Sequence, residues 1–160
     1  HVEFLKFVDL PRLAGASFEL ALAGVDPASE ALLNGHGWRV ADGYALSRDI
    51  EPYRDFIRDS RGEFTVAKDQ NVRLRSGWFS DRSACYLAAG LPVITQDTAF
   101  GSVVPTGRGL YAFRTMEDIL AALDAIEADY EANRAAARDI ADAYFDACGV
   151  VERMLRQAGL

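Results

Sequence analysis

The chain has 160 residues, 17 Lys and Arg against 24 Asp and Glu, and a formal charge of −7. Half of its residues are hydrophobic and 26% are charged, the balance of one globular domain with a proper core; disordered, collagen-like and small disulfide-stapled chains are excluded. No apolar run approaches the ~18 residues of a membrane span, no signal-peptide pattern is read in the first residues, and the acidic balance argues against nonspecific nucleic-acid binding. His1 reads as an arbitrary start. Phe4 to Val8 is a short apolar run ended by Asp9 and Pro11, a candidate buried strand. Ser17 to Ala23 reads as a short helix ended by Gly24. Asp26 caps and Pro27 opens the next helix, with Gly35 at its exit. Gly37 to Val40 is a weak strand. Pro52 opens a helix with Tyr53, Phe56 and Ile57 on one side, closed near Gly62. Glu63 to Ala67 is a strand, and Ser80 or Asp81 caps a helix through Ala89 that Gly90 ends. Pro92 to Thr95 is the clearest buried strand and Leu110 to Phe113 another. Thr115 and Asp118 form a capping box ahead of Met116, Ile119, Leu120, Leu123 and Ile126 at helical spacing. A second acidic helix runs from about Asp129 to Ala147 with Tyr130, Ala137, Ile140 and Tyr144 inward. A final short helix carries Val151, Met154 and Leu155.

Strands alternating with helices imply a parallel sheet covered on both faces, an α/β fold in a single domain over residues 1–160. Ligands of such sheets bind outside the carboxyl ends of the strands, at helix N-termini. The loops after Ala67 and Thr95 and the helix start at Ser80 should share that edge. Charge supports the same place. Thr115 to Ala147 holds nine acids against two bases, so the rest of the chain is close to neutral. Within that rest, Arg61, Lys68, Arg73, Arg75 and Arg82 face only Glu63, Asp69 and Asp81. A local basic excess in an acidic chain suits an anionic ligand.

The loop from Arg75 to Ser83 is the most informative segment. It contains Gly77, is rich in hydroxyls and bases, and runs into a helix whose free N–H groups favour phosphate. Arg82 could add a bidentate contact, with a salt bridge to Asp81 or Asp97 as the bland alternative, while Asp81 as a cap would repel phosphate. Gln96 to Ser102 is a second loop whose glycine and small polar residues allow close backbone approach. Thr106 to Gly109 reads as a turn and lacks a P-loop ending. Gly35-His36-Gly37 ends a helix and is no dinucleotide fingerprint; His36 reads as a surface residue. For Trp78, Phe79 and Tyr86, packing is the favoured reading over stacking on a base. Cys85 and Cys148 match no metal or redox spacing and read as reduced core residues. No metal site or Ser/His/Asp set is seen.

The stretch GWFSDRSACYLAAGLPVITQD, from Gly77 to Asp97, resembles the nucleotide-sugar-binding core of GT-B glycosyltransferases. With SRGEFTVAKD before it and PTGRGLYAF after it, residues Ser60 to Ala147 resemble bacterial family 1 and family 4-type enzymes. The resemblance implies the C-terminal, Rossmann-like half of a two-domain enzyme. That half binds the sugar nucleotide, the N-terminal half binds the acceptor, and catalysis takes place in the cleft between them. The Ala-x-Gly-x-Pro-Val-Ile ending is present at Ala88 to Ile94. The family's two glutamates fall on Gly77 and Cys85, neither of which accepts hydrogen bonds from a ribose as a carboxylate does; Asp81 or Asp97 is left to supply ribose recognition. The family's Arg/Lys pair has no clear counterpart beyond Lys6 and Arg12.

The expectation is therefore a cytoplasmic glycosyltransferase domain that binds a nucleoside diphosphate sugar without metal or other cofactor. Basic groups and a helix N-terminus would stabilise the departing diphosphate. The donor and phosphate candidates are Ser80, Asp81, Arg82, Ser83, Gly77, Lys68, Arg75, Asp97, Thr98 and Gly101; no catalytic residue is assigned. The partner is a missing N-terminal domain, and the isolated chain is expected to be inactive. The rival is a noncatalytic Rossmann-like module that has lost the donor site. A receiver-like signalling domain would need a clustered acidic pocket at the strand ends, and the sequence shows none.

Overall fold

The structure is a computed structural model that describes residues 2–159; His1 lies outside them. The chain has a Rossmann-like α/β fold whose parallel strands fall in two small sheets flanked by helices. It divides into two compact units, one ending at Ser60 and the other beginning at Arg61.

The first unit runs α1 (Val2–Leu5), α2 (Leu10–Ala14), β1 (Phe18–Leu22), α3 (Pro27–Gly35), β2 (Trp38–Asp42), α4 (Gly43–Ser47) and α5 (Ile50–Arg58). Two sequence expectations are corrected here. The apolar run Phe4 to Val8 is the end of a helix and a turn, with the Phe7 N–H bonded to the Phe4 carbonyl at 3.0 Å. Its buried positions, Glu3, Phe7 and Leu10, recur at helical spacing, which a short unbroken apolar run conceals. Ser17 to Ala23 forms strand β1 instead of a helix. Phe18, Leu20 and Leu22 are half-buried while Glu19 and Ala21 are exposed, a period of two. Pairing with β2, in register from Phe18 opposite Trp38 to Leu22 opposite Asp42, overrides the helix preference of Leu, Ala and Glu. Trp38 is the centre of this unit. Its indole donates to the Val8 carbonyl at 2.7 Å, and Phe4 and Phe18 pack on it at 5.1 and 5.4 Å. Asp26 caps α3 as expected, accepting from the Ala28 and Ser29 N–H groups. His36 pairs with exposed Asp9 at 2.8 Å, in keeping with a surface role.

The second unit runs β3 (Glu63–Thr65), α6 (Asp69–Arg73), α7 (Asp81–Ala88), β4 (Val93–Gln96), β5 (Leu110–Phe113), α8 (Met116–Ala128), α9 (Tyr130–Tyr144) and α10 (Ala147–Gln157). Its strands are ordered β3-β4-β5, all parallel. Every residue of β4 is buried, its apolar Val93 and Ile94 as well as the polar Thr95 and Gln96. The crossover from β4 to β5 carries no α-helix, only a single 3₁₀ turn at Phe100–Ser102. Most parallel crossovers are helical; here irregular backbone borders the end of the sheet.

Helices α8 and α9 cover β5. The Thr115 and Asp118 capping box forms as expected, and Ile119, Ala122 and Ile126 are buried. Buried Asn133 of α9 accepts from the Gly109 N–H at 2.9 Å and from the Tyr111 hydroxyl at 2.7 Å, while its amide donates to the Ala125 and Asp129 carbonyls. Gly109 has φ +72°, and a Cβ there would lie 2.4 Å from the Ala137 nitrogen, so this close approach admits only glycine. Cys85 and Cys148 are exposed, which corrects their assignment to the core: each lies on the outer side of a short helix, α7 or α10. Among the described residues no helix is long and apolar enough to cross a membrane.

Candidate functional site

The two loops that stand out in the sequence meet in the second unit. The Gly77 N–H donates to the Thr98 carbonyl at 2.8 Å, and the Thr98 hydroxyl donates to the Trp78 carbonyl at 2.5 Å. Thr98 is fully buried, so this pair of bonds is a fixed seam between the loops. Parallel pairing does the rest. Gln96 lies opposite Phe113, and the Asp97 N–H donates to the Phe113 carbonyl at 2.8 Å. The next residue on each strand, Asp97 and Arg114, are therefore neighbours.

Asp97 sits where these connections converge. One oxygen accepts the Ala99 N–H at 2.7 Å. The other accepts Arg114 Nε at 2.7 Å and lies 2.6 Å from Arg114 Nη2 and 3.6 Å from Arg75 Nη1. The Asp97 side chain is only 11% exposed, whereas Arg75 and Arg114 are 56% and 67% exposed. Burial alone would raise the Asp97 carboxyl; the Ala99 N–H and the two guanidiniums outweigh it and hold the group below its ordinary value.

The arginines border an open cleft of about 480 Å³ whose other lining includes Asp97, Ala99, Gly101, Ser102, Thr106, Ala112 and Asp118. A smaller recess of about 170 Å³ beside it adds Val72, Gln96 and Phe113. Arg75 and Ala99, at φ 48° and 77°, are the two non-glycine residues with left-handed backbone among the described residues, and both line this cleft. Such conformations cost about 1–3 kcal/mol each and persist where the surroundings enforce them, commonly at ligand sites. Asp118 is engaged through one oxygen, which accepts the Arg114 and Thr115 N–H groups; those bonds lower its carboxyl below the ordinary value.

The remaining sequence candidates are placed differently. Arg82 turns toward the sheet: Nε donates to Glu63 at 2.6 Å and Nη2 to Thr65 Oγ1 at 2.8 Å. Its partner is Glu63, which neither alternative read from the sequence named. Asp81 accepts the Arg82 N–H at 2.9 Å, and Ser80 occupies the cap position of α7 without a side-chain cap bond. Ser83 is fully buried, its hydroxyl unpartnered, as is the second oxygen of Glu63. Lys68 is exposed before α6 and does not line the cleft. Phe79 packs on Phe100 and Phe145 at 5.3 and 5.2 Å, and Tyr86 is buried, so both serve packing. Of the ten candidates, Arg75, Asp97 and Gly101 line the cleft, and Gly77 and Thr98 form the seam beside it.

Sequence reasoning missed Arg114, Thr106 and Asp118, and reached Ser102 only as the end of the second loop. The signal for Arg114 was the strand register: once Val93–Gln96 and Leu110–Phe113 are paired in parallel, the residues following them must adjoin. Chemically, two part-exposed guanidiniums over small polar residues can take a bidentate oxyanion. Among the described residues no group of three His, Cys, Asp or Glu side chains is placed to hold a metal ion. No protein-family model, curated protein or solved structure matches the chain.

Proposed function

We propose that the chain is the donor-binding domain of a glycosyltransferase and holds a nucleoside diphosphate sugar for transfer to an acceptor bound by an N-terminal domain. The reading rests on the resemblance of residues 77–97 to that enzyme class. The observation that carries it is the Arg75 and Arg114 cleft at the carboxyl ends of β4 and β5. That edge is where sheets of this kind receive nucleotides. The two guanidiniums supply positive charge for a departing diphosphate while the anomeric carbon becomes electron-poor. Ser102 and Thr106 offer hydroxyls for the remaining phosphate or sugar oxygens.

A second reading, a noncatalytic module without a donor, is favoured by one specific observation: Gly77 and Cys85 stand where the enzyme class has glutamates. Calorimetric titration with UDP, GDP and their sugar conjugates separates the two. Binding of at least one nucleotide, lost in Arg114→Gln, is the expected result. Silence with all of them supports the noncatalytic module. Sugar transfer by the 160-residue chain alone would contradict the need for a second domain to hold acceptor and exclude water.

A further inference from the structure

The Asp97 carboxylate occupies an unusual position for a residue in an anion site. It is nearly buried, yet one of its oxygens is shared by two guanidiniums that remain more than half exposed. Arg75 makes no side-chain hydrogen bond to it at 3.6 Å, so its donors are poorly used. Both non-glycine left-handed residues flank the arrangement, and the cleft opens onto it. Asp118, the other carboxylate on the cleft, is turned to the backbone N–H groups of Arg114 and Thr115.

From this geometry we infer that Asp97 is an internal counter-anion: in the free protein it stands in for the phosphoryl group of a ligand on Arg75 and Arg114, and a diphosphate binds by taking those guanidiniums over. The inference rests on the reading of this cleft as a diphosphate site and assigns Asp97 to competition with the ligand instead of contact with it. The physical reason is charge. Two guanidiniums beside one cleft repel each other when the cleft is empty, and one carboxylate between them relieves that repulsion. Its anchor to the Ala99 N–H keeps it in place after the exchange, since that bond uses its other oxygen. An incoming monoanion offers no more charge than Asp97 and gains little. A diphosphate brings more charge and more acceptors and wins the exchange. Asp97 thereby selects for diphosphates most strongly against chloride and carboxylates, and less strongly against a single phosphate, whose charge near neutral pH exceeds that of a monoanion but falls short of a diphosphate's.

The test uses the whole chain, with inorganic pyrophosphate and inorganic phosphate as probes in low-salt calorimetry. The substitution Asp97→Asn keeps an acceptor for the Ala99 N–H and removes the charge. Asp97→Asn should bind pyrophosphate about fivefold tighter than the parent and narrow its preference over phosphate, while Arg114→Gln should bind about thirtyfold more weakly, as expected for loss of a charge-assisted bond. Equal or weaker pyrophosphate binding by Asp97→Asn overturns the proposal, as does absence of pyrophosphate binding in both proteins. Urea unfolding checks that each variant is folded. If Asp97→Asn does not fold, Arg75→Gln and Arg114→Gln carry the test, because each leaves Asp97 one guanidinium; pyrophosphate binding unchanged in both overturns it. The outcomes also separate this inference from the reading beneath it. Pyrophosphate behaving as described with every nucleotide sugar silent removes the glycosyltransferase donor and keeps the counter-anion. Nucleotide sugars that bind indifferently to Asp97→Asn and Arg114→Gln do the reverse.

Discussion

Among its described residues the second unit has two largely buried acids paired with arginine, Glu63 and Asp97, and they differ in a way that charge alone does not reveal. At the start of α7, Arg82 spends its guanidinium on Glu63 and Thr65, and none of the three lines the cleft at the end of the sheet. At the end of the sheet, Arg75 and Arg114 share a single aspartate and border about 480 Å³ of open space. A guanidinium whose donors are satisfied by the fold is part of the scaffold. One with donors to spare beside an open volume is available to a ligand. The basic cluster in the sequence held members of both kinds.

The largest expected effect falls on the scaffold pair. Arg82→Ala leaves Glu63, 5% exposed, as an unpaired carboxylate, and should lower stability in urea by about 3 kcal/mol; the half-exposed arginine keeps this at the lower end for a broken buried pair. Nucleotide affinity of the folded variant should stay put. A drop in affinity with stability intact would dissolve the distinction between the two pairs. Arg114→Gln is the mirror image. Diphosphate affinity should fall by about 2 kcal/mol, and stability, with an exposed side chain replaced, by less than ~1 kcal/mol.

How much of this contrast was readable in the sequence depends on how far apart the contacts lie. The Asp26 cap, the Thr115 and Asp118 box and the buried β4 strand were all legible, because each is set within a few residues. The failures were β1 and the first helix, where Ala, Leu and Glu suit a helix until a parallel partner is present, and where a brief apolar run carries no period. The site was half legible. Arg75, Asp97 and Gly101 lie in loops whose composition drew attention. Arg114 follows β5 with no local motif, and only the pairing of Gln96 with Phe113 brings it to Asp97, 17 residues away in the chain. The reach of Arg82 from the first helical turn to Glu63, 19 residues upstream, likewise has no local signal.

Proton linkage sharpens the comparison at a smaller scale. Asp97 and Asp118 are both held below the ordinary value of 3.8 in the folded chain. The unfolded chain therefore takes up protons first as pH falls, so their stabilisation is full above that value and drains away below it. Thermal midpoints followed from about pH 6 down to about pH 3 should decline, and Asp97→Asn should flatten the acid part of the curve. A curve of unchanged steepness would mean that the arginines do not bias Asp97. The smallest effect is expected on the acidic helices. Glu131, 80% exposed on α9, pairs with Arg134 only at 3.7 Å; Glu131→Gln should alter stability by less than ~0.5 kcal/mol and leave nucleotide affinity unchanged. A marked loss of affinity would make that face a third kind of charged region.

Asn133 has a dynamic consequence. The amide of Gly109 is bonded to a side chain near the start of α9, not to a neighbouring strand, while the Gly109 carbonyl accepts the Val93 N–H. Hydrogen exchange at that one amide thus requires the start of α9 to release it, whereas fraying of the far end of α9 leaves it untouched. The same asparagine holds the Ala125 and Asp129 carbonyls, so the end of α8 and the start of α9 detach together with β5 or not at all. Gly109 is in effect a built-in reporter of the cooperative opening of this half of the unit, and its exchange rate measures the free energy of that opening separately from global unfolding.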